Sequence, residues 1–129
     1  MKAKANMVGW FEIPVSDMSR ARKFYESVFD IKIQVQEFGD TLMGWFPFPK
    51  DPEASGAGGS LVYNEGFYKP SSNGTVVYFS TPEINIELRS VEHAGGVVLQ
   101  EKTLIKKEIG YMALFLDSEG NRIALHSRE

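Results

Sequence analysis

Val8-Gly9-Trp10-Phe11-Glu12-Ile13-Pro14-Val15-Ser16-Asp17-Met18-Ser19-Arg20-Ala21-Arg22-Lys23-Phe24-Tyr25-Glu26-Ser27-Val28-Phe29 reads as a strand that runs straight into a capped helix. Trp10, Glu12 and Pro14 alternate with Phe11, Ile13 and Val15, so a strand here carries Glu12 beside Trp10 on one face and an apolar row on the other. Asp17 suits the N-cap, because its carboxylate can accept from free N–H groups of the first turn. Met18, Ala21, Phe24, Tyr25 and Val28 then recur at helical spacing. The helix is expected to pack on the apolar face and to leave the Trp10–Glu12 face open.

Downstream of this unit, Ile31 to Phe38 alternates apolar and polar residues as a half-buried strand does, and Gly39-Asp40 turns the chain. A third strand is expected over Thr41 to Phe48, ended by Pro47 and Pro49. Ser60 to Asn64 makes a fourth. Lys50 to Gly59 between them is rich in Pro, Gly, Ser and Ala, and is either a mobile lid or a solvated insertion without a role. After a polar connector, Glu65 to Gly74, the pattern returns. Thr75 to Ser80 is a strand, and Thr81-Pro82 reads as a cap followed by proline at the first helical position. Ile84, Leu88 and Val91 follow at helical spacing, with Gly95-Gly96 as the stop. Val97 to Lys106, Tyr111 to Leu116 and Arg122 to His126 complete the set, the last two joined by the tight turn Asp117 to Asn121.

The order β-α-β-β-β therefore occurs twice, at a period of roughly sixty-five residues. The expected fold is α+β: two βαβββ modules, over about 6–66 and 73–129, whose curved mixed sheets surround a cavity. With 129 residues and 43% hydrophobic content the chain can bury a core as one domain. A net charge of −3 with dispersed lysines offers no basic field for nucleic acid. Lack of cysteine excludes disulfides, thiolate nucleophiles and sulfur-ligated metal. No apolar run is long enough to span a membrane and Met1 to Asn6 lacks a signal-peptide core, so a cytoplasmic protein is expected.

Phe11-Glu12-Ile13-Pro14-Val15-Ser16-Asp17 with Ala21 and Phe24-Tyr25, together with Asp117-Ser118-Glu119-Gly120-Asn121-Arg122-Ile123, resembles the vicinal oxygen chelate superfamily over essentially the whole chain. That superfamily holds glyoxalase I, bleomycin-resistance proteins and extradiol dioxygenases. The resemblance implies paired βαβββ modules, commonly a homodimer, and in the enzymes a divalent metal held by His, Gln and Glu on cavity-facing strands. The metal site does not carry over. The first-strand ligand lies seven positions before the capping Asp, which here is Trp10. The last-strand Glu falls on Ala124, the second-module ligand near Val76, and the fourth-strand carboxylate at Leu61 or Tyr63. No family metal and no other cofactor is expected, apart from a displaced divalent ion at Glu12 and His126.

Those two residues stand two positions beyond the vacated sites on the same strands, and they are the candidate catalytic pair. Glu12 and His126 act as base and acid or anchor a ligand's polar end if both face the cavity. Otherwise Glu12 bonds backbone near the strand end and His126 is solvated. Trp10, Trp45, Phe48, Tyr63 and Tyr78 are candidate ligand-binding residues that would wall a pocket for a flat or aromatic molecule, against the alternative that they are core. Two functions are consistent with the residues: a small-molecule-binding homodimer without the family metal, or a lyase, isomerase or dioxygenase-like enzyme built on Glu12 and His126.

Overall fold

The structure, a computed structural model, describes residues 6–51 and 53–129. Most of the leader reading of Met1 to Asn6, and Pro52 in the proposed lid, lie outside the described residues. The first module comprises β1 (Trp10–Pro14), α1 (Met18–Phe29), β2 (Gln34–Phe38), β3 (Thr41–Trp45) and β4 (Gly58–Tyr63). The second comprises β5 (Val77–Ser80), α2 (Ile84–Val91), β6 (Val97–Lys106), β7 (Gly110–Leu116) and β8 (Arg122–Ser127). Each forms a four-stranded mixed sheet, ordered β1-β4-β3-β2 and β5-β8-β7-β6, with the first and last strands of each module parallel and the rest antiparallel. The duplicated α+β architecture read from the sequence is the one observed.

α1 begins where its chemistry says it should. Asp17 is extended, and its carboxylate accepts from the Arg20 N–H at 3.0 Å. Met18, Ala21, Phe24, Tyr25 and Val28 are its buried stripe, and they meet Ile13 and Val15 in an apolar cluster that also holds Ile84, Leu88, Val91, Phe115 and Leu125 of the second module. One core therefore serves both halves. Each fully buried side chain of this size contributes about 1.5–3 kcal/mol, so the shared cluster is the main force joining them.

Several boundaries move from their expected places. β3 stops at Trp45 rather than reaching Phe48, since Pro47 has no N–H to continue the ladder; the Phe46 N–H makes a last bond to the Gly59 carbonyl at 3.1 Å. β4 starts two residues earlier than expected, with Gly58 and Gly59 paired to Trp10 and Phe11. These glycines are packing residues: a Cβ on Gly59 would stand 2.4 Å from the Phe11 ring. The second helix is capped by Glu83, not Thr81. The Glu83 carboxylate accepts from the Asn85 N–H at 2.9 Å, which leaves Pro82 outside the helix. Thr81 instead accepts from the Glu83 N–H at 3.3 Å and so holds the cap residue itself. Among the described residues no helix is long and apolar enough to cross a membrane.

The turn between β7 and β8 does more than reverse the chain. Asp117 Oδ1 accepts from the N–H groups of Glu119 and Asn121, both at 2.9 Å, and its Oδ2 accepts from the buried Tyr25 hydroxyl of α1 at 2.6 Å. Burial first, and then the neighbouring Asp117 carboxylate, push the Tyr25 phenol well above its ordinary range, so it stays a donor. Glu119 Oε1 accepts from the Ser16 and Asp17 N–H groups at 2.8 and 2.9 Å, and both its oxygens meet the Arg20 guanidinium at 2.7 and 2.9 Å. Asn121 donates to the Pro14 carbonyl at 2.7 Å and accepts from the Ser71 N–H at 3.0 Å. A five-residue turn of the second module thus fixes the end of β1, the start of α1 and the connector.

Candidate functional site

Where the modules meet, along β1 and β5, a cavity of about 1500 Å³ opens, and Trp10, Glu12, Phe48, Tyr78, Lys69 and Arg122 are among its lining residues. The strand pattern explains why Trp10 and Glu12 reach it. Phe11 and Ile13 turn toward the helices, so the even-numbered side chains of β1 point away from the core. Phe11 and Phe79 bring β1 and β5 together under the cavity, their rings 5.8 Å apart and nearly perpendicular.

Trp10, Trp45 and Phe48 form a continuous aromatic wall, with ring centroids 5.7 Å apart for Trp10–Trp45 and 6.2 Å for Trp45–Phe48. Gly58, paired with Trp10, allows it; a Cβ there would sit 3.3 Å from the indole. These rings are not consumed by the core: Trp10 is 40% exposed, while Phe48 and Tyr78 are each 54% exposed. Trp45 is half-buried and reaches the cavity through its two neighbours. Tyr63 behaves differently. It pairs with Leu42 and packs against the core on the helix side, so it does not join the other four rings.

Glu12 is exposed on the cavity wall, and its Oε1 accepts from the Tyr68 hydroxyl at 2.8 Å. That bond, reinforced by the carboxylate charge, raises the Tyr68 phenol above its usual range. His126 is elsewhere. Its Nε2 lies 2.7 Å from the Ile109 carbonyl oxygen, which can only accept, so that nitrogen carries the proton. Neither hydrogen bond nor ion pair joins Glu12 to His126, and His126 is not among the cavity-lining residues. The pair expected to act together is not assembled.

The strand register also revises the fourth-strand position of the family metal site. Glu12 pairs with Ser60, which pairs in turn with Trp45, so Ser60 stands on the Trp10–Glu12 side while Leu61 and Tyr63 face the helices. Ser60 is fully buried and its hydroxyl has no hydrogen-bond partner among the described residues. An indole at Trp10, a lone hydroxyl at Ser60, and alkyl groups at Val76 and Ala124 do not fit a divalent ion that needs several nitrogen or carboxylate ligands. Among the described residues no group of three or more His, Asp and Glu side chains is placed to hold a metal.

Paired βαβββ modules around a junctional cavity define a class of proteins, and comparison with known proteins identifies it. A sequence profile of the Glyoxalase/Bleomycin resistance protein/Dioxygenase superfamily matches residues 7–125, and the chain belongs to that superfamily. No curated protein sequence matches the chain. Among solved structures, a glyoxalase I mutant (V278E) from Zea mays superposes with a TM-score of 0.73 at 20% identity, covering 98% of this chain and 48% of the maize chain. The chain therefore spans about half the length of that enzyme. A glyoxalase/bleomycin resistance protein from Albidiferax ferrireducens T118 gives a TM-score of 0.69 at 17% identity over 96% of this chain and all (100%) of its own. TnmS3, an antibiotic binding protein from Streptomyces sp. CB03234, gives 0.69 at 21% identity over 99% of this chain and 100% of its own. At these identities the likeness concerns the fold alone.

Proposed function

We propose that this protein binds a small, flat organic molecule in the cavity between its modules, without the metal of its enzymatic relatives and as a homodimer. The observation that carries the reading is the wall of Trp10, Trp45 and Phe48, whose Trp10 and Phe48 line the cavity together with Tyr78: large rings kept partly exposed at a cavity rather than spent on the core. Ring stacking supplies affinity for a planar body at small entropic cost, because each ring is already held by its neighbours. The existence of an antibiotic binding protein with this fold is consistent with such a role. Glu12 and His126 are each bonded to another partner, Tyr68 and the Ile109 carbonyl, which favours the binding reading over one that needs them to act as a pair. Homodimer formation is supported by the outer edge strand β6, which leaves Leu99, Leu104 and Ile105 about half exposed, at 48%, 53% and 44%.

The test is tryptophan emission, since Trp10 and Trp45 are the chain's two tryptophans and both belong to the wall. Titration with a neutral planar probe such as a naphthol should quench it saturably, and Trp10→Ala should abolish the saturable component. Linear, non-saturable quenching in both proteins would remove the binding reading. Elemental analysis returning stoichiometric zinc, nickel, manganese or iron would remove its metal-free part, and sedimentation of a clean monomer at micromolar concentration its dimeric part.

A further inference from the structure

The charges around the cavity are sorted by wall. Glu12 and Asp51 lie on the first-module side; Lys69 on the connector and Arg122 at the start of β8 lie on the other. Four ion pairs occur among the described residues, and none includes any of these four groups. Glu12 is held by a neutral donor, the Tyr68 hydroxyl, and Asp51 accepts from the Glu53 N–H at 2.9 Å. Arg122 is half-buried, and its Nε is covered and without a hydrogen-bond partner, so packing fixes the side chain's stem rather than a counter-ion. Glu12, Asp51 and Lys69 are exposed to the cavity and solvated, and of the four only Arg122 has a covered atom without a partner, its Nε, so all four groups can exchange water for a ligand's charges without first breaking an ion pair.

The seam sets how far apart they are. Asn121, next to Arg122, donates to the Pro14 carbonyl at 2.7 Å, and Pro14 lies two residues beyond Glu12 on the same face of β1. Two strand residues span roughly 6–7 Å, which puts the Glu12 and Arg122 positions on the order of 10 Å apart along the junction. The exposed Trp10 and Tyr78 rings lie on the same lining.

From this arrangement we infer that the cavity recognises an ampholyte: a molecule with a protonated amine for Glu12, a carboxylate for Arg122 and Lys69, and an apolar body against Trp10 and Tyr78. The inference rests on the binding function proposed above and adds the ligand's charge pattern to it. A carboxylate presented to a guanidinium gains charge-assisted hydrogen bonds, and an ammonium beside a carboxylate and indole gains both ion-pair and cation–π attraction. A ligand carrying only one charge would leave the opposite wall as unpaired as it is now.

Glycyl-phenylalanyl-glycine tests this, because an extended tripeptide separates its termini by about 10 Å around one ring. Four forms are titrated against tryptophan emission: both termini free, N-acetylated, C-amidated, and both blocked. Binding of the free form should be at least tenfold tighter than that of the doubly blocked one, with the singly blocked forms between. Glu12→Gln should weaken the free form and leave the acetylated form unchanged; Arg122→Gln should weaken the free form and leave the amidated form unchanged. The blocked series on the unaltered protein decides the matter even if a variant folds poorly. Equal binding of all four forms, tightest binding of a singly blocked form, or binding of none would overturn the inference. If the neutral planar probe still binds saturably in any of those cases, the small-molecule reading stands and only the ampholyte falls; if that probe fails too, both fall.

Discussion

Removing Glu119 should cost far more than its position in a surface turn suggests. Its side chain is fully covered, and it accepts from the Ser16 and Asp17 N–H groups and from the Arg20 guanidinium. Glu119→Ala strands two backbone donors at the entry to α1. Each hydrogen bond to a charged acceptor contributes about 1.5 kcal/mol at the low end of the usual range, which suits donors that water can reach once the carboxylate is gone. Arg20 is 54% exposed, so its share of the ion pair is screened and adds under about 1 kcal/mol. The sum is about 3–4 kcal/mol, or roughly 11–15 °C in melting temperature for a domain of this size. Thermal unfolding followed by circular dichroism at pH 7 measures it, with Arg20→Ala as the comparison. Arg20→Ala should cost no more than about 1 kcal/mol, because it leaves both backbone bonds in place. A Glu119→Ala loss below about 1 kcal/mol, or an Arg20→Ala loss equal to it, would refute the assignment of the stability to the two backbone donors.

Tyr25→Phe deletes the hydroxyl that Asp117 accepts from inside the core, and should lower stability by about 1–2 kcal/mol in a urea titration, with the fold retained. Gly59→Ala places a methyl group against the Phe11 ring, and overpacking of this kind should cost about 1–3 kcal/mol by the same measurement. Acid should also weaken the fold. Burial pushes the Glu119 carboxyl up, but Arg20 and the Asp17, Ser118 and Ser16 donors outweigh it and hold the group below its ordinary range. Glu26 is likewise lowered, first by the Ile33 N–H, and Glu83 first by the Asn85 N–H. A depressed carboxylate contributes stability above its unfolded pKa and loses it as pH falls through the folded value. The melting temperature should therefore be flat from pH 7 to 5 and drop from there toward pH 3, and Glu119→Gln should flatten the drop.

The face assignments of β1 and α1 were legible because one side of each is buried and the other is not, so periodicity carries the answer. Tyr63 escaped that logic. β4 lies inside its sheet with Gly59 to Val62 all buried, and a strand covered on both sides shows no alternation from which to read a face. Only the Glu12–Ser60 pairing fixes it. At the start of α2, Thr81-Pro82 matched the local pattern of a cap followed by proline, and Glu83 did not stand out as a cap. The helix begins after Glu83, whose carboxylate also meets Lys102 at 3.0 Å, a contact across nineteen residues that local spacing does not reveal. The roles of Tyr68 and Arg122 were hidden for the same reason: one lies on a connector and bonds Glu12 across 56 residues, and the other lies at a strand start and lines the cavity only when the modules are joined.

The Asp117–Asn121 turn bears on the order in which this chain acquires its structure. Its bonds to Ser16 and Asp17 span 103 and 102 residues, so they form only after both modules have been brought back on one another. Closing a loop of that length costs roughly 4 kcal/mol of chain entropy, to be met at that step by the shared core. Each module has local hairpins that can form earlier, but α1 lacks the hold on its first turn until the last two strands arrive. A chain extended only as far as Asp117 would have its first helix begun and unfastened, and docking of that helix would wait on the turn that supplies Glu119.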